Sequence, residues 1–459
     1  MDRRSWSRYS HLAYSTVVSM STPPRWFVRR LELTNFRCFD ELSIDFDSEL
    51  TVLIGENGAG KTAVLDGLAV MLSTALSALG DSRRGFDISD IRLRPQGTSG
   101  QSVPSMEAIM PIGGQIHAVL AGEDYHWWRQ KTSLKGRTGW GDKHLIDAHV
   151  GNIWDAANAE PPTTVLPVVA SYGVDRLVGV RRAQGTLGRS RRDAYSAALD
   201  SKSDLTRLSS YIQGLTLDDF AATERGATDT PEARQLAAIR AACDRVFGHL
   251  GWRGPYWRQN VEELTMIHDD HGELPLRFLS SGLKIATGLT IDVASRMARA
   301  NPALGGDDLL KSVPGIVLID EIDLHLHPTW QQQIVPSMRR AFPHVQFITT
   351  THSPQVLSTV PAKHIRVLGA EGVTGVNYSE GLQSDVVLQK VMGTPPMPDN
   401  IEISQTLYRY ADLVAQGGGL SDDARRMRQI LDERLGGASM VSLLADADAT
   451  MAFYDLDDE

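Results

Sequence analysis

Gly55-Glu56-Asn57-Gly58-Ala59-Gly60-Lys61-Thr62 fits the phosphate-binding pattern G-x-x-x-x-G-K-(S/T). Its flanks supply the context that the pattern needs. Leu50, Val52, Leu53 and Ile54 read as a short buried strand, and Ala63, Val64, Leu65, Leu68, Ala69, Met71 and Leu72 recur at helical spacing. Glycines at 55, 58 and 60 let backbone N–H groups, that of Asn57 among them, curl around phosphate oxygens. The N-terminus of the helix adds partial positive charge. Lys61 is expected to reach the terminal phosphates, and the Thr62 hydroxyl to hold Mg²⁺. A nucleoside triphosphate such as ATP is the implied ligand.

Around this loop the chain reads as an ordinary globular protein. With 459 residues, 42% hydrophobic and 22% charged, it can bury one large core or several. No apolar run is long enough to span a bilayer, so no membrane partner is expected. Cys38 and Cys243 are far apart and form neither a disulfide framework nor a zinc motif, which suits the cytoplasm. The net charge of −10 argues against a surface that coats DNA throughout, and leaves room for a local basic patch.

Five regions are expected: a disordered leader over 1–24, with Met20 as an alternative start; a first half of the nucleotide-binding unit over 25–80; an inserted, mainly helical subdomain with antiparallel strands over 81–270; a second half over 271–380; and a helical tail over 381–459. Residues 26–46 read as two strands placed beside the phosphate-loop strand. Asp229-Thr230-Pro231 reads as a helix start. Two features are candidates for contact with DNA: the arginine run Arg176, Arg181, Arg182, Arg189, Arg191 and Arg192, and the cluster Trp127-Trp128-Arg129. Binding there would weaken steeply with salt, and charge reversal at Arg189, Arg191 and Arg192 would reduce it.

Three further motifs follow the loop. Ile316-Val317-Leu318-Ile319-Asp320-Glu321 is a buried strand ending in acids, at the edge where open α/β sheets bind ligands. Asp320 is the expected Mg²⁺ partner, and Glu321 the base that orients the attacking water. Leu279-Ser280-Ser281-Gly282 opens a helix with donors for an anion, which would involve Ser280 and Gly282. His352, in Thr351-His352-Ser353-Pro354, follows another buried strand, where it would donate to the γ-phosphate.

In this order the motifs resemble the ABC-type ATPases. That resemblance implies an α/β P-loop head, a mixed sheet flanked by helices. It also implies that two heads dimerise head-to-tail, with Lys61 and Thr62 of one copy facing Ser280 and Gly282 of the other, and Asp323 in the loop between copies. Leu33-Thr34-Asn35-Phe36-Arg37-Cys38-Phe39 and the run from Asp320 to Gln331 resemble the RecF/SMC/OLD-like branch, not transporters. The pattern there makes His325 and His327 positioning residues, not metal ligands. The gap of about 220 residues between loop and Ser280 lacks the sustained heptads of SMC proteins. Asp446-Ala447-Asp448 lies in a helical pattern, unlike an OLD-type nuclease domain. Gly381-Leu382-Gln383-Ser384-Asp385, Val391-Met392-Gly393 and the short tail resemble the PtuA family, the ATPases of Septu-type and retron-associated anti-phage systems. The resemblance implies a homodimer or higher homo-oligomer and a separate HNH-type nuclease partner. Two alternatives stay open at this point: a RecF-like repair ATPase, and a nucleotide-gated scaffold that hardly hydrolyses ATP.

Overall fold

A computed structural model describes residues 23–80, 84–96, 105–175, 187–200, 205–395, 397–436 and 441–457. The expected leader lies outside them apart from Pro23 and Pro24, and so do Arg176, Arg181 and Arg182. The chain forms two compact units, one ending at Leu382 and one beginning at Gln383.

The strands of the first unit are β1 (Phe27–Phe36), β2 (Phe39–Asp45), β3 (Leu50–Gly55), the pair β4 (Leu93–Gln96) and β5 (Ser105–Ala108), β6 (Ile112–Leu120), β7 (Glu123–Lys131), β8 (Gly139–Gly141), β9 (Val168–Tyr172), β10 (Trp252–Arg258), β11 (Glu263–His268), β12 (Gly272–Pro275), β13 (Gly315–Ile319), β14 (Val345–Thr350), β15 (Ile365–Gly369) and β16 (Gly372–Thr374). A six-stranded sheet runs β16-β15-β3-β14-β13-β9 and is parallel except for β16. Its inner strands β14 and β13 are buried throughout, and β3 is buried up to its final glycine, as expected of strands covered on both faces.

The phosphate-loop strand does not lie beside β1 and β2, contrary to the expectation from sequence. Those two strands belong to a second, antiparallel sheet of order β2-β1-β6-β7-β8. The reason is in the burial. β1 hides Leu31 and Leu33 while Arg30 stays exposed, so it suits a sheet with one wet face. A buried side chain, that of Gln346, helps to join the two sheets. The Gln346 amide of β14 accepts from the Val28 N–H at 2.8 Å and donates to the carbonyls of Val28 at 2.9 Å and Asp47 at 2.7 Å. It sits where the ladder between β1 and β6 shifts register, between Val28 and Arg30.

The phosphate-loop helix (Lys61–Leu76) lies between the sheets. It touches β1 and β6 on one side and β3 and β14 on the other. That explains why it is apolar on every side and buried from Ala63 to Leu76 except at Asp66. Residues 81–270 supply strands to both sheets, β6 to β8 to one and β9 to the other, together with the helices Leu205–Glu224 and Pro231–Phe247 and with β10 and β11 of a third sheet, which β12 completes from just beyond the region. Thr230 caps the latter helix, accepting from the Ala233 N–H at 2.9 Å, with Pro231 in the first turn.

The second unit is helical. Helices Glu402–Ala415, Asp422–Leu435 and Ser442–Asp457 bury Leu407, Val414, Leu431 and Leu444 against one another. Asp448 lies within the last of these helices and pairs with Arg428, which also holds Asp432 at 2.9 Å.

Candidate nucleotide site

The loop at 55–60 has two glycines, Gly55 and Gly60, that no other residue replaces without movement. Gly55 has φ 151° and a Cβ there would run into the Leu368 carbonyl; Gly60 has φ 95° and a Cβ would collide with the Phe39 ring. The β1–β2 turn therefore presses on the loop. Arg37 bolts that turn down, reaching Asp66 of the phosphate-loop helix at 2.6 Å and Asp90 at 2.8 Å. Arg84 holds the other oxygen of Asp66 at 2.7 Å.

Lys61 is buried and donates to the carbonyls of Gly55 at 2.9 Å and Glu56 at 3.0 Å. Burial lowers its pKa, against the pull of Asp320 and Glu321, so both carboxylates lie within electrostatic reach. Glu56, Asn57, Gly58 and Thr62 are exposed at the mouth.

Asp320, 4% exposed, is held from two sides. The Thr62 hydroxyl donates to one oxygen at 2.8 Å and the Thr350 hydroxyl to the other at 2.6 Å. Thr350 also accepts from the Glu321 N–H at 2.7 Å. Glu321 itself has φ 47°, a left-handed conformation that costs a residue with a side chain about 1–3 kcal/mol. The chain thus turns sharply between the two acids. Asp320 points back toward the loop helix, and Glu321 is half-buried. The pair of hard oxygens on Thr62 and Asp320 suits Mg²⁺.

The next threonine of the strand end repeats the pattern. Thr351 donates to Asp323 at 2.6 Å and accepts from the Ser353 N–H at 3.0 Å. His352, between them, is exposed. Ser353 caps the turn of helix at Pro354–Leu357 and donates to Gln331 at 2.8 Å. Thr350 and Thr351 belong to the segment that carries His352, but their hold on Asp320 and Asp323 is not read from the sequence. Their signal was a run of three hydroxyls ending an otherwise apolar strand.

Ser280 and Gly282 stand apart. Ser280 is the exposed N-cap of the helix Ser281–Ala300 and accepts from the Leu283 N–H at 3.3 Å. A Cβ on Gly282 would collide with the His325 carbonyl, so this turn packs directly on the loop after Glu321. Both residues line a cavity of about 260 Å³ with Trp252, Phe278, His325 and Trp330, and none of its walls comes from 55–62. His327 accepts from the Thr329 N–H at 3.4 Å and so caps its helix.

The candidate DNA contacts need correction. Trp127 is buried and donates to the Met71 carbonyl at 3.0 Å. Arg129 is also buried, with its guanidinium on the carbonyls of Val70 and Arg84 and on the Ser73 hydroxyl; burial lowers its pKa to about 10. Both pin β7 to the phosphate-loop helix and face inward, because alternate residues of a strand share a face. Trp128 is 40% exposed. Of the arginine run, Arg189 pairs with Asp218, Arg191 binds the Ala157 carbonyl, and Arg192 lies over the Trp154 ring at 4.8 Å. Among the described residues no helix is long and apolar enough to cross a membrane.

The fold and the site define the class: the chain is a P-loop ATPase of mixed α/β architecture. Two family models match it, one described as an AAA domain, over residues 30–112, and one described as an AAA domain, putative AbiEii toxin, Type IV TA system, over residues 176–358. Its relatives are retron ATPases and the Septu protein PtuA. The Retron Ec83 probable ATPase of Escherichia coli is 25% identical, over 89% of this chain and 84% of that protein. The Septu protein PtuA of Bacillus thuringiensis is 31% identical over 28% of this chain and 34% of its own. The SMC head domain from Thermotoga maritima aligns over 76% of this chain and 99% of that structure, with 14% identity and a TM-score of 0.40.

Proposed function

We propose that this ATPase is the nucleotide-driven switch of an anti-phage defence system, in which two copies close on ATP and thereby control a separate HNH-type nuclease. The observation that carries the reading is the separation of the two anion-binding halves. Lys61, Thr62 and Asp320 form one group, while Ser280 and Gly282 line a cavity to which the loop contributes nothing. Two copies arranged head-to-tail would bring the halves together. The similarity to retron and Septu ATPases supports the defence role.

In the closed pair the loop N–H groups and Lys61 would grip the phosphates, and Ser280 and Gly282 of the second copy would close over the terminal one. Thr62 and Asp320 would hold Mg²⁺, which supplies charge neutralisation on the phosphate oxygens when bound. Glu321 would align the attacking water and take its proton, and His352 would donate to the γ-phosphate. DNA remains a candidate partner, through Trp128 and the arginines of the run.

A split site makes activity depend on association. Specific activity should rise with protein concentration and then level off. Ser280→Arg, which places a bulky cation at an exposed cap, should leave nucleotide binding by each copy intact and lower steady-state hydrolysis about a hundredfold, without that concentration dependence. A constant specific activity in the parent across dilution would argue for a complete site in one chain. Copurification with a nuclease encoded beside this chain, as against a recombinase loader, tests the defence role.

A further inference from the structure

We propose that the Tyr172 hydroxyl and the Asp292 carboxylate form a buried link through which the helix opened by Ser280 sets the position of Asp320. Tyr172 is then a positioning residue for hydrolysis. The proposal rests on the split-site reading given above.

Two contacts of Tyr172 point in opposite directions. Its main chain lies on β9, which pairs with β13 in parallel register, Tyr172 opposite Ile319. The Tyr172 carbonyl accepts from the Asp320 N–H at 2.8 Å. Its side chain leaves the sheet, and the hydroxyl donates to Asp292 at 2.8 Å. Asp292 lies on the helix Ser281–Ala300, roughly three turns, or about 18 Å, from the Ser280 cap. Tyr172 is 2% exposed and Asp292 3%. The same carboxylate accepts from Arg296 at 2.8 Å, and Arg296 holds the carbonyls of Ala194 at 2.8 Å and Ser196 at 3.2 Å.

The polarity of the link is fixed. Burial works against charge on Asp292, but Arg296 and Arg299 outweigh it, so its pKa lies below the ordinary value; burial and the Asp292 charge both push the Tyr172 phenol up. Tyrosine donates and aspartate accepts. Such a buried ionic cluster adds little net stability compared with apolar side chains of the same volume, so stability alone is a weak reason for its presence here. Its geometry offers a better one. The Asp320 carboxylate rests between Thr62 and Thr350 on contacts of 2.8 and 2.6 Å, so a small displacement of its main chain disturbs both. The Ser281–Ala300 helix, engaged at its cap by a second copy, would carry Asp292, the Tyr172 ring and the Asp320 N–H partner as one chain of contacts.

The test is a double-mutant cycle on the full chain, with rates normalised to the amount of protein competent to bind ATP. Tyr172→Phe removes one oxygen and leaves Asp292 on Arg296. In the parental background it should lower kcat about tenfold, with the KM for ATP and the nucleotide Kd within twofold of the parent. In the Ser280→Arg background, where no signal enters the helix, the same change should cost nothing further. An equal loss in both backgrounds, or no loss in the parent, would overturn the link. If Ser280→Arg alone retains the parental rate, the split-site reading fails, and the role assigned to Tyr172 fails with it.

Discussion

Replacing Glu321 with Gln is expected to slow ATP hydrolysis by about 10²–10⁴-fold, the contribution of a positioned general base, while ATP still binds. Glutamine keeps the shape and loses the ability to accept a proton. The structure makes the separation of effects sharp. Asp320, one residue earlier, is tied to Thr62 and Thr350, whereas Glu321 contributes its N–H to Thr350 and leaves the strand through a left-handed turn. The contact that ties Glu321 to Thr350 is made by its main chain, which the substitution leaves in place. Phosphate release under multiple turnover, with binding of a fluorescent nucleotide in parallel, measures both. A rate within threefold of the parent would place the base elsewhere. Trapping ATP in this way should also favour the two-copy form, which sedimentation would register as a heavier species.

Lys61→Ala should act one step earlier. The ammonium is buried against the carbonyls of Gly55 and Glu56, and burial already lowers its pKa, so it stands at the mouth as a partly desolvated donor. Hydrogen bonds to charged groups contribute about 1.5–3 kcal/mol, which corresponds to a loss of roughly 10–100-fold in ATP affinity. Hydrolysis should fall further, by about 10²–10³-fold, because the same donor meets charge that grows in the transition state. Calorimetric titration with ATP and phosphate release distinguish the two effects. Binding unchanged from the parent would mean that the backbone amides alone hold the phosphates.

The candidate nucleotide site is legible in the sequence because each of its motifs is local. Strand, glycine turn and helix follow one another over 50–72, and Asp320-Glu321 ends a strand whose apolar run announces burial on both faces. What escaped the sequence was pairing at long range. β1 finds β6 and not β3, because the choice depends on a partner some eighty residues downstream that local alternation cannot specify. Trp127 and Arg129 look like a nucleic-acid surface when read as a cluster. On a strand they share one face with Lys131, and that face is turned to the phosphate-loop helix. Tyr172 and Asp292 are 120 residues apart, and nothing local announces their pairing.

The Gln346 amide behaves as a borrowed peptide group. It offers one acceptor and two donors to the main chain of the other sheet, where the strand ladder has slipped. A side chain that stitches two sheets in this way makes them a single mechanical body. Force applied at the β1–β2 hairpin therefore travels to the threonine-tipped end of β14 without passing through solvent, and the two sheets should melt as one cooperative unit.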